Sequence, residues 1–396
     1  MVTDTSPAPS SDTRAPDRRW TPRLATSLVF LVAGLGFGGW AVNIPLLKAG
    51  LGLTDATLGV ALLGVAGGAI LAMPLAGHLA GKVGAARLIL LCGLGFAAVM
   101  AALPHAPTLW AFVPLVTLLG MGFGSVDVAM NTHAALIERH WGAAIMSSFH
   151  AAFSLGGLAG AALGGALLAA GADAALCLGV LAALSAVGLL LAVPFLGHPT
   201  PPPGEAAEAG HGFVLPDRAM LGLGILALLA FFTEGAVADW SALYLIGNGA
   251  SDAAAAGGFA AFSLAMTLGR LTGDAVVRRL GGERALRWGG TLAAAGLLLA
   301  LAVPRLEAGM TGLALVGLGL SNAAPVLFTA AGRAGGATPG RGVAAVATLG
   351  YAGMLAGPPL IGFLAQGASL RVALLLLALA PALIALRAVA AREQPT

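Results

Sequence analysis

A few ionisable and amide side chains stand in stretches that are otherwise almost wholly apolar. Asp127 and Asn131 share one stretch, Glu234 and Asp239 another, and His150 a third; Asn43 follows Trp40, and Asn322 follows Ser321. Burial in a dry cavity favours the neutral form of a carboxylic acid, which is what a group that takes up and releases protons needs. Asn131 comes four residues after Asp127 and shares its helical face. At 1.5 Å per residue, Asp127 lies roughly 6 Å and His150 roughly 10 Å to the same side of the middle of their runs. These depths predict an interaction between Asp127 and His150. The plainer readings are a structural hydrogen bond for Asp127 and a packing histidine for His150. Glu234 falls at mid-depth, where an unpaired acid calls for a function. Asp239 lies about 10 Å toward the other side, as a gate residue or a solvated acid at a helix end. Asn43, Asn131 and Asn322 offer donors and acceptors that orient a small polar solute. Trp40, Trp240 and Tyr244 either stack on a solute ring or belong to an interfacial belt. Arg270 reads as a snorkelling side chain.

The elements that position these groups must cross a membrane. Hydrophobic residues make up 58% of the 396, charged residues only 9%, and the mean hydropathy is +0.93. Soluble domains carry roughly 25% charged residues. Apolar runs recur at about 24–47, 55–77, 86–104, 109–137, 144–170, 174–195, 219–246, 253–276, 284–303, 309–332, 341–366 and 370–390. Each is long enough to span roughly 30 Å of hydrocarbon as a helix. None shows the alternation of a membrane strand. The expectation is an all-α protein of twelve spans.

Several classes drop out. The net charge of +3 comes from bases scattered in short loops, so nucleic acid is not expected as a partner. Cys92 and Cys177 both fall inside spans and read as small apolar filler. Gly77…Gly81-Lys82 has the wrong spacing for a phosphate loop and no Ser or Thr after the Lys. No zinc-protease, hydrolase-elbow or cysteine-cluster pattern occurs. No enzyme activity, cofactor or metal is expected, and no segment is long enough for a nucleotide-driven pump.

Residues 1–23 are polar and rich in Pro and Ser, and read as a disordered tail without a cleavable signal. The segment 196–218 carries Pro, Gly and Glu and reads as a linker between a first bundle at 24–195 and a second at 219–392. Arg14, Arg18, Arg19, Arg23, Lys82, Arg87, Arg139, Arg218, Arg278, Arg279, Arg284, Arg287, Arg333, Arg341, Arg387 and Arg392 fall on one side; Lys48, Arg305 and Arg371 fall on the other. The positive-inside rule then puts both termini in the cytoplasm of a cell inner membrane.

The two bundles echo each other at an offset of 197 residues. Lys82, Gly84 and Arg87 recur as Arg279, Gly281 and Arg284; Gly120 and Gly122 recur as Gly317 and Gly319; Gly156-Gly157-Leu158-Ala159-Gly160 recurs as Gly353-Met354-Leu355-Ala356-Gly357. Same-direction repeats in a membrane chain point to a transporter with its site between the halves. The small-xxx-small glycines suit close helix packing, or sliding of the fifth and eleventh spans.

On these features the chain resembles the major facilitator superfamily over 24–392. The loop Gly77-His-Leu-Ala-Gly-Lys82-Val-Gly84-Ala-Ala-Arg87 is similar to the family's motif between its second and third helices, with Gly81 at the acidic position; the counterpart Gly273-Asp274…Arg278-Arg279-Leu280-Gly281 keeps an acid. Asp127-Val-Ala-Met-Asn131, Glu234-Gly-Ala-Val-Ala-Asp239-Trp240 and Ser321-Asn322-Ala-Ala-Pro325 resemble the fucose-permease-like branch. The resemblance implies two six-helix bundles about a pseudo-two-fold axis along the membrane normal. It also implies a central cavity lined by spans 1, 4, 7 and 10, with Gly77, Lys82, Gly84, Arg87, Asp274, Arg278 and Gly281 in conformational-switch loops. Spans 3, 6, 9 and 12 lack buried charge, which fits that placement.

The function expected is secondary transport of a small polar solute, sugar-like or another metabolite, by alternating access and in symport with protons, by a monomer in the lipid bilayer. Asp127, Glu234 and His150 are the proton-coupling candidates. Asn43, Trp40, Asn131, Asn322, Asp239, Trp240 and Tyr244 are the substrate-binding candidates. The alternatives are a proton antiporter exporting drugs or metabolites, and a receptor on a transporter scaffold.

Overall fold

Among the described residues, fourteen α-helices carry the chain through the bilayer. The computed structural model describes residues 20–53, 55–197, 218–250, 252–335 and 339–391. In order these are α1 (Trp20–Gly50), α2 (Asp55–Val83), α3 (Ala85–Ala102), α4 (Leu109–Trp141), α5 (Met146–Ala169), α6 (Ala174–Ala192), α7 (Arg218–Gly247), α8 (Asp252–Leu280), α9 (Gly282–Ala302), α10 (Leu306–Leu320), α11 (Ala323–Ala334), α12 (Pro339–Gly367), α13 (Leu370–Leu377) and α14 (Leu379–Arg387). The tenth span is thus α10 and α11, broken at Ser321–Asn322, and the twelfth is α13 and α14, broken at Ala378. Among the described residues, eleven stretches are long and apolar enough to cross a membrane. The stretch at α8 is not one of them, because Ser263, Thr267, Arg270, Thr272 and Asp274 dilute it. The expected tail and most of the expected linker lie outside the described residues.

Local chemistry sets the helix ends. Thr108 accepts the Ala111 N–H at the start of α4, Asp173 that of Leu176 on α6, and Ser369 that of Val372 on α13. Each supplies one of the acceptors that first-turn N–H groups lack. Gly84 and Gly281 precede α3 and α9 with φ of 89° and 77°. A side chain is strained in that backbone region, so the two turns that echo in sequence also echo in backbone shape.

The echo extends to packing. α1 packs on α5 as α7 does on α12; α2 packs on α4 as α8 does on α10. At these seams a glycine lies against the backbone of its neighbour, so that any Cβ there would overlap it. Gly120 meets the Val65 carbonyl and Gly317 that of Phe262; Gly156 meets the Leu31 carbonyl and Gly353 that of Leu228. Both members of each contact move by 197 residues. The glycines therefore serve close approach of helix backbones, the packing role that small residues have in lipid. Outside the bundle, Leu71, Phe363 and Leu386 are each more than two-thirds exposed, an apolar surface that needs lipid around it.

The two halves meet through α2 and α12, α5 and α8, and α4 with α11 and α12. The contacts cluster at the end that carries the loop arginines. Ser148 N–H donates to Asp274 Oδ1 at 3.0 Å, and Ser147 Oγ to Asn322 Oδ1 at 2.8 Å. Thr329 Oγ1 donates to Glu138 Oε1 at 2.6 Å, Arg278 Nη1 to the Ala144 carbonyl at 3.1 Å, and Arg341 lies 3.4 Å from His78 Nδ1. Gly77 rests against Gly340 and Ala344. This basic end is closed.

Candidate functional site

Above the closed end lies a cavity of about 330 Å³ between the halves. Its walls come from α1, α2, α4 and α5 on one side and α7, α8, α11 and α12 on the other. Helices α3, α6, α9, α10, α13 and α14 give it nothing, in keeping with their lack of buried charge. The fifth span contributes through His150, as its place in the sequence suggested; the second, eighth and eleventh spans also contribute, which a census of buried charge did not reveal.

The polar groups on the wall are Asp127, His150, Glu234, Arg270 and the Tyr351 hydroxyl, set among Phe37, Trp40, Phe123, Phe153, Phe231 and Phe328. Positions related by the repeat face each other across it. Glu234 and its counterpart Phe37 both line the cavity, and so do Asp127 and its counterpart Ala324.

Asp127 is buried, at 7% exposure. Its Oδ1 accepts from Asn131 Nδ2 at 3.1 Å. Its Oδ2 has no hydrogen-bond partner among the described residues. Asn131 also donates to the Asp127 carbonyl at 2.9 Å, and its Oδ1 lies 3.1 Å from His150 Nε2. The expected meeting of Asp127 and His150 is thus made through Asn131 rather than directly. His150 stacks on Phe328 of the second half at 5.8 Å between centroids and meets Phe30 edge-on at 5.4 Å. A histidine held between two aromatic rings with one hydrogen bond has little freedom to turn.

Arg270 overturns its expected role. It does not snorkel: its Nη1 donates to Ser154 Oγ of the first half at 2.7 Å, its Nε lies 3.4 Å from the Ser321 carbonyl, and it lines the cavity. Glu234, half-buried, lines the same cavity. An arginine at this depth is tolerated because it faces a polar pocket with an acid nearby. A stripe in the sequence does mark it: Ser263, Thr267, Arg270 and Asp274 recur every three or four residues along α8. Tyr351 and the ring of phenylalanines carried no such mark, since apolar aromatics are ordinary in lipid-facing helices.

Other candidates sit elsewhere. Asn43 is fully buried against α6, donating to the Gly39 carbonyl at 2.8 Å and lying 3.2 Å from Cys177 Sγ. Tyr244 donates to the Ala300 carbonyl of α9 at 2.8 Å. Asn322 belongs to the closed end, bonded to Ser147 and Ser321. Asp239 is exposed, and Trp240 packs at Gly362 of α12. None of these five lines the cavity, and Asn131 stands behind its wall. Asn43, Asn131, Asn322 and Tyr244 are engaged in hydrogen bonds that join or brace helices, a use of polar groups in lipid that the sequence does not distinguish from solute binding. Of the residues expected in switch loops, Gly77 and Gly81 stand instead in the last turns of α2, and Asp274 and Arg278 in those of α8; Gly77 and Asp274 both touch the opposite half, Arg278 reaches Ala144, and Gly81 has open space where its side chain would be.

A bundle of two six-span halves around a central cavity, whose apolar wall carries a few charged groups, defines a membrane transporter of the parallel-repeat kind. The Major Facilitator Superfamily model matches residues 26–334, and the chain belongs to that family. It is 40% identical over 354 residues to an uncharacterised MFS-type transporter of Yersinia pestis, covering 89% of this chain and 91% of the relative. Among solved structures it is similar to FucP in the outward conformation, with a TM-score of 0.81, 16% identity, and coverage of 95% of this chain and 100% of the other. It is also similar to a variant of the E. coli fucose:proton symporter FucP, with a TM-score of 0.77, 17% identity, and coverage of 96% and 100%. The chain is a multi-pass membrane transporter, not an enzyme.

Proposed function

We propose that this transporter is a proton-coupled symporter for a small solute with a ring-like apolar face and a polar edge. The observation that carries the reading is Asp127: an acid at the cavity wall with one oxygen held by Asn131 and the other free of any described partner. That second oxygen is where a proton is loaded and released. Glu234 and Arg270 supply an acceptor and a forked donor for the solute's polar edge, and the surrounding rings hold its face.

This departs from the expectation of a small polar solute oriented by three asparagines, since none of the three lines the cavity. The similarity to a protein described as a fucose:proton symporter supports proton coupling. The arginines of the closed end face the cytoplasm by the positive-inside rule, which makes this an outward-facing state of an inner-membrane protein with both termini inside. Binding to the cavity with Asp127 protonated then lets the halves rock and expose the solute to the cytoplasm. Transport by a monomer needs no second chain, since the cavity walls all come from this one.

Flux in proteoliposomes under an imposed pH gradient tests the reading. Symport gives accumulation driven by an acid exterior. Efflux driven by the same gradient would mean antiport, and a solute that binds without crossing would mean a receptor. The solute is found by a thermal-shift screen of sugars, nucleosides, organic acids and cationic drugs, because a bound ligand raises the melting temperature.

A further inference from the structure

The basic end holds a second, larger cleft of about 690 Å³, walled by the α4–α5 turn, the α8–α9 turn and α11. We propose that it binds a phosphate-bearing anion, which bridges the two halves and holds this end closed. Arg139 comes to it from the first half, and Arg278 and Arg333 from the second. One carboxylate, Glu138, shares the lining, and both its oxygens are engaged. Its Oε2 accepts the Ile145 and Met146 N–H groups at 2.7 Å each, and its Oε1 accepts Thr329 Oγ1. Glu138 therefore braces the start of α5 against α11; its charge also acts on Arg333, and Arg278 Nη1 donates to the Ala144 carbonyl at 3.1 Å, yet the lining still carries three guanidiniums to one carboxylate, a surplus of positive charge.

The positive-inside rule accounts for bases in these loops. It does not require three of them, drawn from both halves, to converge on one cleft of ligand size. Pockets of roughly 300–1,000 Å³ are the usual size for small-molecule sites. Guanidinium forks match phosphate oxygens in two-bond geometry, which selects phosphate over a simple halide. The volume leaves room for an organic remainder. The shared chemistry is a phosphate ester, whether of a soluble metabolite or of a phospholipid headgroup in the adjoining leaflet. Because the walls belong to both halves, rocking pulls the cleft apart. A ligand there binds the closed-end state better than the other, so it favours that state and slows the return of the empty carrier.

The test uses the full chain in an alkyl maltoside detergent, with inorganic pyrophosphate as the probe and sodium chloride at equal ionic strength as the control. Pyrophosphate raises the melting temperature and chloride does not. Arg278→Gln and Arg333→Gln each weaken the apparent affinity about tenfold, the scale of one lost charge-assisted hydrogen bond. Arg284→Gln, exposed at the same end outside the cleft, leaves the affinity unchanged. If a Gln variant fails to fold, Arg333→Lys keeps the charge without the fork and gives an intermediate affinity. Adding phosphatidylglycerol separates the sources: loss of the pyrophosphate shift identifies the lipid headgroup, and its persistence identifies a soluble phosphate ester. The proposal is overturned by a pyrophosphate shift no larger than that of chloride, or by equal weakening in Arg284→Gln.

Discussion

Asp127 and His150 are joined through the one amide of Asn131, which donates to Asp127 Oδ1 and has its own oxygen 3.1 Å from His150 Nε2. With Asn131 so oriented, His150 must carry its proton on Nε2 to donate. The chain of donors then runs from helix α5 to the acid and leaves Asp127 Oδ2 as the proton site. Asp127→Asn keeps the shape and removes the titration. Its expected effect is loss of accumulation driven by a pH gradient, with solute counterflow retained. Accumulation at the wild-type level in that variant removes Asp127 from coupling.

Asn131→Leu keeps the volume but breaks both ends of this link. It leaves a buried carboxylate and a buried imidazole each short of a partner, at a cost of about 1–3 kcal/mol per group. The melting temperature falls, and pH-driven accumulation falls with it even though Asn131 does not line the cavity. If transport in Asn131→Leu matches wild type at a temperature well below its melting point, the link is dispensable.

Glu234 and Arg270 give a different signature. Glu234→Gln and Arg270→Gln each weaken solute binding. In the double variant the losses are less than the sum, because the charge of each is compensated in part by the other. Arg270→Lys does not restore binding, since an ammonium lacks the fork that reaches Ser154 and the solute together. Binding isotherms for the three variants and the double variant complete the cycle; strictly additive losses would show that the two act independently.

The legibility of this site followed the chemistry of each residue. The twelve spans and the repeat were readable because lipid imposes length and apolarity, and because glycine contacts repeat with the chain. Asp127, Glu234 and His150 were readable because charge in lipid is costly and therefore placed with purpose. Asn43, Asn322 and Tyr244 misled because a polar group can equally well tie two helices together, and only its neighbour in space tells which. Arg270 was misread from its place toward one end of α8, where depth along a helix was mistaken for direction around it. The span α8 itself shows the limit of hydropathy: a helix that faces a polar cavity carries the residues that hydropathy counts against it.

Asp274 and Gly77 occupy matching places in the two halves, one an acid holding the Ser148 N–H of α5, the other packed bare against Gly340 of α12. The closed end is thus latched unequally. Asp274→Ala removes a charge-assisted hydrogen bond at a helix N-terminus, worth about 1.5–3 kcal/mol. The population with the basic end open should rise on the order of tenfold or more. Labelling of a cysteine placed at Ser147, which lies under that end, reads the change; an unaltered labelling rate would show that other contacts hold the latch.

The seam glycines should separate cleanly into those that touch and those that do not. A methyl group at Gly156 meets the Leu31 carbonyl, and at Gly353 the Leu228 carbonyl, both backbone atoms that move only if the helix moves. Gly95 and Gly165 have nothing within 4 Å of the same position. Gly156→Ala and Gly353→Ala therefore force α1 from α5 and α7 from α12, at a cost on the scale of overpacking, about 1–3 kcal/mol. They lower the melting temperature and slow transport in both halves alike. Gly95→Ala and Gly165→Ala sit in helix interiors, where alanine is the better helix former by about 1 kcal/mol, and they leave stability equal or higher. Melting curves of the four variants decide the matter: a fall in Gly95→Ala as large as in Gly156→Ala would mean that helix flexibility, and not close backbone approach, is what these glycines provide.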